Sequence, residues 1–418
     1  MKTNFNGFRC FACGTVQGAD FGGYVCPKCG GNLEVRYTWP KGAPAGWWRD
    51  ESRKDIFRYR ALLPVSKLEL AAPLRVGQTP LYSASRLGAK AGLKNLYLKD
   101  DGQNPSASFK DRAGAVALVR ARETGAKVLC GASTGNAGSS MACLAASVAM
   151  PCVIFVPEKA PAAKIAQLLV FGAHVFAVKG TYDDAFDLCM AVCEKRGWFN
   201  RNTGHNPFTR EGKKTAAFEI FELLGKIPDW VAVPTGDGNI IAGIWKGFCD
   251  LKEAGIADRT PKMLCAQSID SQAISSTVLK LKKAGKKAVD WSQVQIAPVR
   301  ATTVADSISV DIPRDGLAAV RAVLESGGAA VAVPDAEILG AIPEIARGAG
   351  VFAEPAASCA WAGLKQAARD GLVKPEETVV CMITGNGLKD IASARKSAGE
   401  PVPLENSVAA ALKATEGI

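Results

Sequence analysis

The stretch "NPSASFKDRAG" (104–114) decides how the rest of the chain is interpreted. An Asn-Pro turn and two serines lead into Lys110, and the small apolar run "AGAVALV" that follows predicts a helix beginning at this lysine. Unpaired N–H groups and the helix dipole favour anions at such a terminus and disfavour an ammonium group. A lysine placed there is more readily neutral, and a neutral lysine is a nucleophile. A solvated lysine in a first turn has the same local sequence, so the surrounding chain must distinguish the two.

Length and composition indicate an ordinary globular protein. The chain has 418 residues, of which 48% are hydrophobic and 22% charged, enough for about two or three domains. The N-terminus lacks the apolar run of a signal peptide and no segment is long enough to span a membrane, so we expect a cytoplasmic protein without a membrane partner. The net charge of +11 raises nucleic acid as a partner, but the basic residues are scattered and we expect none.

Four of the 13 cysteines form a pattern that is typical of a metal site. "CFAC" and "CPKC" give the spacing C-x2-C-x12-C-x2-C, with Cys10, Cys13, Cys26 and Cys29 as ligands. Four sulfurs without a histidine make a closed tetrahedral shell, which predicts a structural Zn²⁺ ion. Residues 1–38 are then a small zinc ribbon, followed by the linker-like stretch "WPKGAPAGWW". Zinc ribbons also bind nucleic acid, so this module alone does not indicate an enzyme.

Apolar strands alternate with helices from about residue 95 onward. Examples are "KVLCGAS", "PCVIFVP", "HVFAVKG", "DWVAVP" and "TVVCMIT", and several of them run into glycine-bearing turns. Near-continuous apolar strands interleaved with helices predict parallel sheets that are covered on both faces. Ligands of such sheets bind at the carboxyl ends of the strands, where the glycine turns fall.

Three of these turns suit an anionic aromatic ligand. "STGNAG" (133–138) offers hydroxyls and an amide at a helix start, which suits a carboxylate or a ring oxygen. "PTGDGN" (234–239) is a nest of N–H groups for phosphate that lacks the P-loop spacing, and "TGNG" (384–387) ends a strand with a hydroxyl that suits a ring nitrogen. With Lys110, these turns match the needs of a phosphorylated aldehyde cofactor that contains an aromatic nitrogen.

Together the motifs resemble those of the fold-type II pyridoxal-phosphate enzymes and, among them, of the threonine synthase family. The four-cysteine ribbon is followed in family order by "VGQTPL", "NPSASFKDR", "ASTGNAG", "KIAQLLVFGA", "NPFTREGKKTAAFEI", "FAEPAAS" and "TGNGLKD". The resemblance implies an α/β fold of the tryptophan synthase β type, with two parallel-sheet α/β domains behind the ribbon. It also implies pyridoxal 5'-phosphate as cofactor, a homodimer, and conversion of O-phospho-L-homoserine and water into L-threonine and phosphate.

The same resemblance assigns residues to the site. Lys110 becomes the catalytic Schiff-base lysine, and Asp111 and Arg112 support its helix. The other cofactor-binding residues are Asn136 at the pyridine 3-oxygen, Gly236, Asp237, Gly238 and Asn239 at the phosphate, and Thr384 at the pyridine nitrogen. The substrate-binding residues are Ser133, Thr134 and Gly135 at the α-carboxylate, with Thr203 and Arg210 at the substrate phosphate.

The segment "NTGHNPFTREG" (202–212) departs from the family pattern. Family members that bind a substrate phosphate have an Asn-Ser pair where this chain has Thr203 and Gly204, and Arg210 stands one place later than their arginine. The nest "PTGDGNIIAG" is one residue shorter than the threonine synthase form and aligns with that of serine and threonine dehydratases. Because an arginine–phosphate contact depends on the direction of the guanidinium, these departures leave the substrate open.

Three hypotheses about function follow. The first is a threonine synthase. The second is a related enzyme that replaces or eliminates a β-substituent, such as a cysteate synthase acting on O-phosphoserine or a serine/threonine ammonia-lyase, and the altered segment favours it. The third is a zinc-ribbon binding protein that has lost catalysis, which the net charge of +11 motivates. The presence of Lys110, Asn136 and Thr384 argues against the third.

The expected domains are the ribbon at 1–38, a large cofactor domain built from 39–120 and 205–418, and a smaller domain at 121–204 inserted into it. Closure of the smaller domain through the "STGNAG" loop would exclude water from the reacting carbon. The segment "ATTVADSISVDIPRD" (301–315) is expected to line the substrate side.

Overall fold

The protein alternates strands and helices over most of its length. The computed structural model describes residues 3–160, 162–285 and 289–417. Its strands in these residues are β1 (Phe5–Cys10), β2 (Val16–Gln17), β3 (Leu33–Tyr37), β4 (Leu81–Ser83), β5 (Asn95–Asp100), β6 (Leu129–Ala132), β7 (Cys152–Pro157), β8 (His174–Val178), β9 (Phe199–Asn200), β10 (Trp230–Pro234), β11 (Lys262–Ser268), β12 (Ala329–Val333) and β13 (Thr378–Ile383). Its α-helices are α1 (Ser85–Gly88), α2 (Lys110–Glu123), α3 (Asn136–Ala146), α4 (Ala162–Val170), α5 (Tyr182–Arg196), α6 (Phe208–Lys213), α7 (Thr215–Leu224), α8 (Asn239–Glu253), α9 (Ala273–Lys283), α10 (Gly316–Glu325), α11 (Asp335–Ala349), α12 (Pro355–Arg369), α13 (Ile391–Ala398) and α14 (Val408–Ala414).

The strands form three sheets. The ribbon is a small antiparallel sheet of order β2-β1-β3. The largest sheet has the order β12-β11-β10-β13-β5-β4 and is parallel except where β4 pairs with β5. The third sheet, β8-β7-β6-β9, is parallel throughout. The predicted fold class is confirmed, with the antiparallel edge strand β4 as a departure, while the domain boundaries at residues 38, 120 and 204 stay a prediction.

Helices cover both faces of the largest sheet, as the apolar strands predict. Every residue of β10 is buried, and alternate side chains enter different hydrophobic clusters because successive residues of a strand point to opposite faces. Ala232 belongs to the cluster that contains Trp361 of α12, whereas Val231 and Val233 belong to the cluster that contains Phe248 of α8. The central strands are therefore packed on both faces, and the turns at their carboxyl ends start from buried backbone.

The ribbon and the stretch after it pack on the body of the protein. Phe8 of β1 meets Phe208 of α6 with the ring centroids 5.7 Å apart. The stretch predicted to be a linker is not free, because Trp48 is buried and stacks on Tyr59 at a centroid distance of 5.5 Å. Within the described residues, none of the helices combines the length and the apolar character needed to cross a bilayer.

Candidate active site

A cavity of about 510 Å³ lies where the carboxyl ends of strands from both parallel sheets meet. The largest sheet contributes Lys110 after β5, Gly236–Gly238 after β10 and Thr384 after β13. The smaller sheet contributes Ser133–Gly135 after β6 and Thr203 after β9. The structure thus brings together most of the residues that the sequence singles out, and much of the 301–315 segment lines the cavity as expected.

Lys110 begins α2, as the sequence predicts, and faces the cavity. Its amine has no hydrogen-bond or ion-pair partner among the described residues. Burial lowers the pKa of Lys110; the carboxylate of Asp237 opposes this shift, the guanidinium of Arg201 adds to it, and Glu354 opposes it further. The net lowering increases the share of neutral amine, which is the form that acts as a nucleophile or base.

The turn that presents Lys110 is held by a distant part of the chain. The N–H of Phe109 donates to the carbonyl of Thr384 at 2.9 Å, and the N–H of Asn386 donates to the carbonyl of Ala107 at 3.1 Å. Ala107 has φ +60°, a left-handed conformation that is uncommon for a residue with a Cβ and costs about 1 kcal/mol or more. The hydrogen bonds from the "TGNG" turn offset this cost, so the two turns form one unit.

The charged residues after the lysine are structural, in agreement with their predicted supporting role. The buried guanidinium of Arg112 donates to Asp101 at 2.5 and 2.9 Å and to Glu219 at 2.7 and 2.8 Å. Lys99 also donates to Glu219, at 2.7 Å. Asp111, equally buried, accepts hydrogen bonds from the turn before the lysine. Among the lining residues that the structure describes, the cavity includes none of these five side chains, which are Lys99, Asp101, Asp111, Arg112 and Glu219.

The turn after β10 offers backbone donors to an anion. Gly238 has φ +94°, and a Cβ there would lie 2.7 Å from the Asp315 carbonyl oxygen, so the turn requires glycine. This turn lines the cavity at the N-terminus of α8, where N–H groups and the helix dipole favour negative charge. The carboxylate of Asp237 accepts from one of these donors, the N–H of Asn239, at 3.0 Å.

The donor set of the cavity fits pyridoxal 5'-phosphate. A free amine at Lys110 suits the aldehyde, and the N–H groups at the start of α8 suit the phosphate. The hydroxyl of Thr384 has no hydrogen-bond partner among the described residues and is available to a ring nitrogen.

Asn136 begins α3 and pairs with a carboxylate that the sequence analysis gave no role. Its amide nitrogen donates to both carboxylate oxygens of Glu354 at 3.0 Å. Burial raises the pKa of Glu354, and the hydrogen bond from Asn136 works against this rise. A Cβ at Gly385 would overlap the Glu354 carboxylate, so the glycine of the "TGNG" turn makes room for it. The sequence signal was an acidic residue directly before a helix-starting proline in "FAEPAAS".

Two of the predicted site residues are not brought into the cavity. Arg210 is 2% exposed and makes a bidentate ion pair with Asp315 (2.6 and 3.0 Å), and it also donates to the carbonyl of Leu33 at 3.0 Å. The expectation that Arg210 binds a substrate phosphate is therefore corrected, because its guanidinium is already neutralised. The side chain of Asn239 is likewise engaged with Lys213 and Asp315, and its backbone N–H donates to Asp237, so the nest consists of the N–H groups of the glycine turn before it.

Arg201 lines the cavity and was missed by the sequence analysis. It follows β9 directly, and its N–H donates to the carbonyl of Cys130 at 2.8 Å, which continues the pairing of β9 with β6. Its Nη1 donates to the hydroxyl of Thr203 at 3.0 Å, whereas Nε and Nη2 are buried without a hydrogen-bond partner. Burial lowers the pKa of Arg201 to about 10. The only signal in the sequence was an arginine immediately after an apolar strand.

The four ribbon cysteines form one cluster. Their sulfur atoms all lie within 4.8 Å of one another, with Cys10 and Cys29 3.5 Å apart and Cys13 and Cys26 3.6 Å apart. A tetrahedral site with metal–sulfur bonds of about 2.3 Å places its sulfurs roughly 3.8 Å apart. The cluster therefore has the dimensions of a metal site with four thiolates.

Comparisons with known proteins agree with this geometry. A family model described as pyridoxal-phosphate dependent enzyme matches residues 73–385. The threonine synthase of Methanocaldococcus jannaschii is 37% identical over 95% of this chain and 96% of its own, and that of Methanosarcina acetivorans is 35% identical over 98% of both. Among solved structures, threonine deaminase isoform 2 of Solanum lycopersicum has a TM-score of 0.63 at 22% identity, covering 77% of this chain and 83% of its own. Maize serine racemase has a TM-score of 0.61 at 21% identity, covering 74% and 88%. These two solved structures share the fold.

Proposed function

Because this chain belongs to the threonine synthases, which are pyridoxal-phosphate dependent enzymes, we propose that it converts O-phospho-L-homoserine and water into L-threonine and inorganic phosphate. The observation that carries the proposal is the single cavity in which the free amine of Lys110 meets turns suited to a phosphate, a ring nitrogen and a carboxylate. When bound, pyridoxal phosphate supplies an electron sink for charge that develops on the substrate carbons.

Lys110 holds the cofactor and moves the proton at the substrate Cα. Its lowered pKa supports both roles, because each requires a neutral amine for part of the cycle. The backbone N–H groups of Gly236 and Gly238 would bind the cofactor phosphate, and the Thr384 hydroxyl would bind the ring nitrogen. Because a hydroxyl carries no negative charge, Thr384 would leave the ring nitrogen without a counter-charge for a proton.

Ser133, Thr134 and Gly135 bind the substrate α-carboxylate. They lie at the N-terminus of α3, where hydroxyls and N–H groups are available to an anion. The next residue, Asn136, would hold the ring oxygen of the cofactor, and its hydrogen bonds to Glu354 fix the direction of its amide. Glu354 was not predicted and acts here as a positioning residue.

The ribbon cysteines hold a structural Zn²⁺ ion. Four thiolates leave no open position for a substrate, which supports a structural role. The ribbon is tied to the body because Asn32 donates to Asp315 at 3.1 Å and Arg210 donates to the carbonyl of Leu33. The homodimer and the cytoplasmic location stay predictions; light scattering of the purified protein tests the first.

The proposal is tested by absorbance and by product analysis. We expect a visible band that is lost in Lys110→Ala but kept in Lys159→Ala, since Lys159 also lines the cavity and is exposed. We also expect O-phospho-L-homoserine to release phosphate and yield L-threonine. Absence of the visible band in the wild type with added cofactor would reject the proposal that the protein is a pyridoxal-phosphate dependent enzyme. Reaction only with O-phospho-L-serine or L-serine would reject threonine synthesis and leave the cofactor assignment intact.

A further inference from the structure

Arg201 is a buried cation of the cavity without a counter-ion. It is 2% exposed, two of its three guanidinium nitrogens have no hydrogen-bond partner, and no described residue forms an ion pair with it. A buried charged donor that is left unpaired destabilises the folded protein. Buried polar groups are almost always satisfied, so an exception that lines a cavity indicates that a ligand completes it. The missing partner of a guanidinium is an anion, and a phosphate matches its planar fork.

The charges around Arg201 also favour an anion. Burial lowers the pKa of Arg201, and the carboxylates of Asp111 and Asp237 act against this shift. Neither carboxylate forms an ion pair with the guanidinium. A phosphate bound at Arg201 would supply the negative charge that these more distant carboxylates compensate only in part.

The position of Arg201 assigns the anion to the substrate. Arg201 and Thr203 follow β9, which pairs in parallel with β6, and β6 leads into the carboxylate turn Ser133–Gly135. The backbone nest for the cofactor phosphate and Lys110 come from the other parallel sheet. An anion at Arg201 therefore lies on the side of the cavity that holds the substrate carboxylate. The Thr203 hydroxyl accepts from Arg201 and keeps its own proton to donate to the same anion.

We propose that Arg201, together with Thr203, binds the phosphate of the substrate and makes this enzyme select a phosphorylated amino acid. The identity of that substrate rests on the proposed function. The role expected of Arg210 passes to Arg201, because Asp315 already neutralises Arg210.

The test compares two arginines that line the same cavity. Arg314 also lines it, but its guanidinium is paired with Asp183 at 2.6 Å, so Arg314→Gln is the matched control for Arg201→Gln. In the Arg201→Gln holoenzyme we expect the KM for O-phospho-L-homoserine and the Kd for inorganic phosphate, measured by calorimetry, to rise roughly 10- to 100-fold. The visible band and the Kd for L-threonine, which carries no phosphate, are expected to stay unchanged. For Arg201→Lys, we expect the KM for O-phospho-L-homoserine and the Kd for phosphate to lie between those of the wild type and of Arg201→Gln, because lysine restores the positive charge without the planar guanidinium.

The proposal is overturned if Arg201→Gln weakens L-threonine and phosphate equally, or if it loses the visible band, since Arg201 would then serve the carboxylate or the cofactor. It is also overturned if Arg314→Gln and not Arg201→Gln gives the phosphate-specific loss. Failure of the proposed function gives a different result, in which wild-type protein does not turn over O-phospho-L-homoserine. Calorimetry with inorganic phosphate still tests Arg201 in that case, because it requires no turnover.

Discussion

Replacing Glu219 by glutamine is expected to lower the free energy of unfolding by about 3–5 kcal/mol, because it breaks a buried ion network. The Glu219 carboxylate is 1% exposed and accepts hydrogen bonds from Arg112 at 2.7 and 2.8 Å, from Lys99 at 2.7 Å and from the N–H of Gln78 at 2.8 Å. Glutamine keeps the shape but removes the charge and turns an NH₂ group toward donors. Among the described residues, Asp101 is then the one carboxylate that still pairs with the buried guanidinium and ammonium groups of this network.

Urea unfolding of the cofactor-free protein, followed by tryptophan fluorescence, measures this loss without a contribution from cofactor binding. The matched control is Glu376→Gln, whose ion pair with Lys94 is equally short at 2.7 Å but whose side chains are 71% and 67% exposed. An exposed pair of this kind contributes about 0–1 kcal/mol. A loss below about 1 kcal/mol in Glu219→Gln, or equal losses in both variants, would refute the argument that burial makes the network costly to break.

The pH dependence of this loss follows from the sign of the pKa shift. Burial alone would raise the pKa of Glu219, but Arg112 and Lys99 lower it well below its usual range. A carboxylate with a depressed folded pKa contributes its full stability above the unfolded value of about 4.3. That contribution is lost only as the pH falls toward the folded value. The difference between wild type and Glu219→Gln is therefore expected to stay constant from about pH 6 to 8 and to shrink in acid.

Three further predictions concern the cofactor and the metal. Gly238→Ala places a Cβ 2.7 Å from a backbone carbonyl oxygen and is expected to weaken cofactor binding at least about tenfold in titrations of the visible band. Gly255→Ala is the control, because Gly255 also has a left-handed backbone but a Cβ there would face open space, and its cofactor binding is expected to stay unchanged. Equal losses in the two variants would show that the close contact at Gly238 does not matter for binding. Cys26→Ser is expected to reduce the bound zinc measured by elemental analysis and to lower the melting temperature. Cys265→Ser is the control, since Cys265 is buried in β11, far from the ribbon in sequence, and this variant is expected to keep the metal. Full zinc content in Cys26→Ser would reject the ribbon site. Cofactor-free protein is expected to capture pyridoxal phosphate at Lys110 faster as the pH rises. The rate is expected to level off below the ordinary lysine pKa of about 10.4, because burial lowers the pKa of this amine. A midpoint at or above that value would refute the lowered pKa of Lys110.

Features that depend on local backbone geometry could be predicted from the sequence. A helix start at Lys110 and the glycine turns at 236–238 and 384–387 are each specified by a few adjacent residues, because the turn needs glycine and the helix needs its periodic apolar face. The order of apolar strands and helices likewise predicts parallel sheets without reference to distant contacts. These local signals were sufficient for the fold class and for most of the cavity.

The sequence could not predict which of the two arginines, Arg201 or Arg210, is free to bind a ligand, because the answer depends on a residue far away in the sequence. Arg201 and Arg210 lie in one polar segment, and nothing in that segment says which guanidinium is free. Asp315, more than 100 positions later in the sequence, decides this by pairing with Arg210. Glu354 was missed for the same reason, since its role depends on contact with Asn136 across the fold.

The strand order of the largest sheet has a consequence for protein synthesis. Strand β13 comes last in sequence among the strands of the described residues, yet it is not at an edge of its sheet but lies between β5 and β10. A nascent chain that ends before β13 already carries Lys110 and the phosphate-binding turn, yet it lacks both the strand that joins their two parts of the sheet and the turn that holds the lysine. The growing chain therefore cannot form the complete cavity, and we expect capture of the cofactor only after β13 and the turn that follows it have been synthesised. A prematurely terminated chain exposes two unpaired parallel strand edges, which makes it a substrate for chaperones and proteases rather than a partly active enzyme.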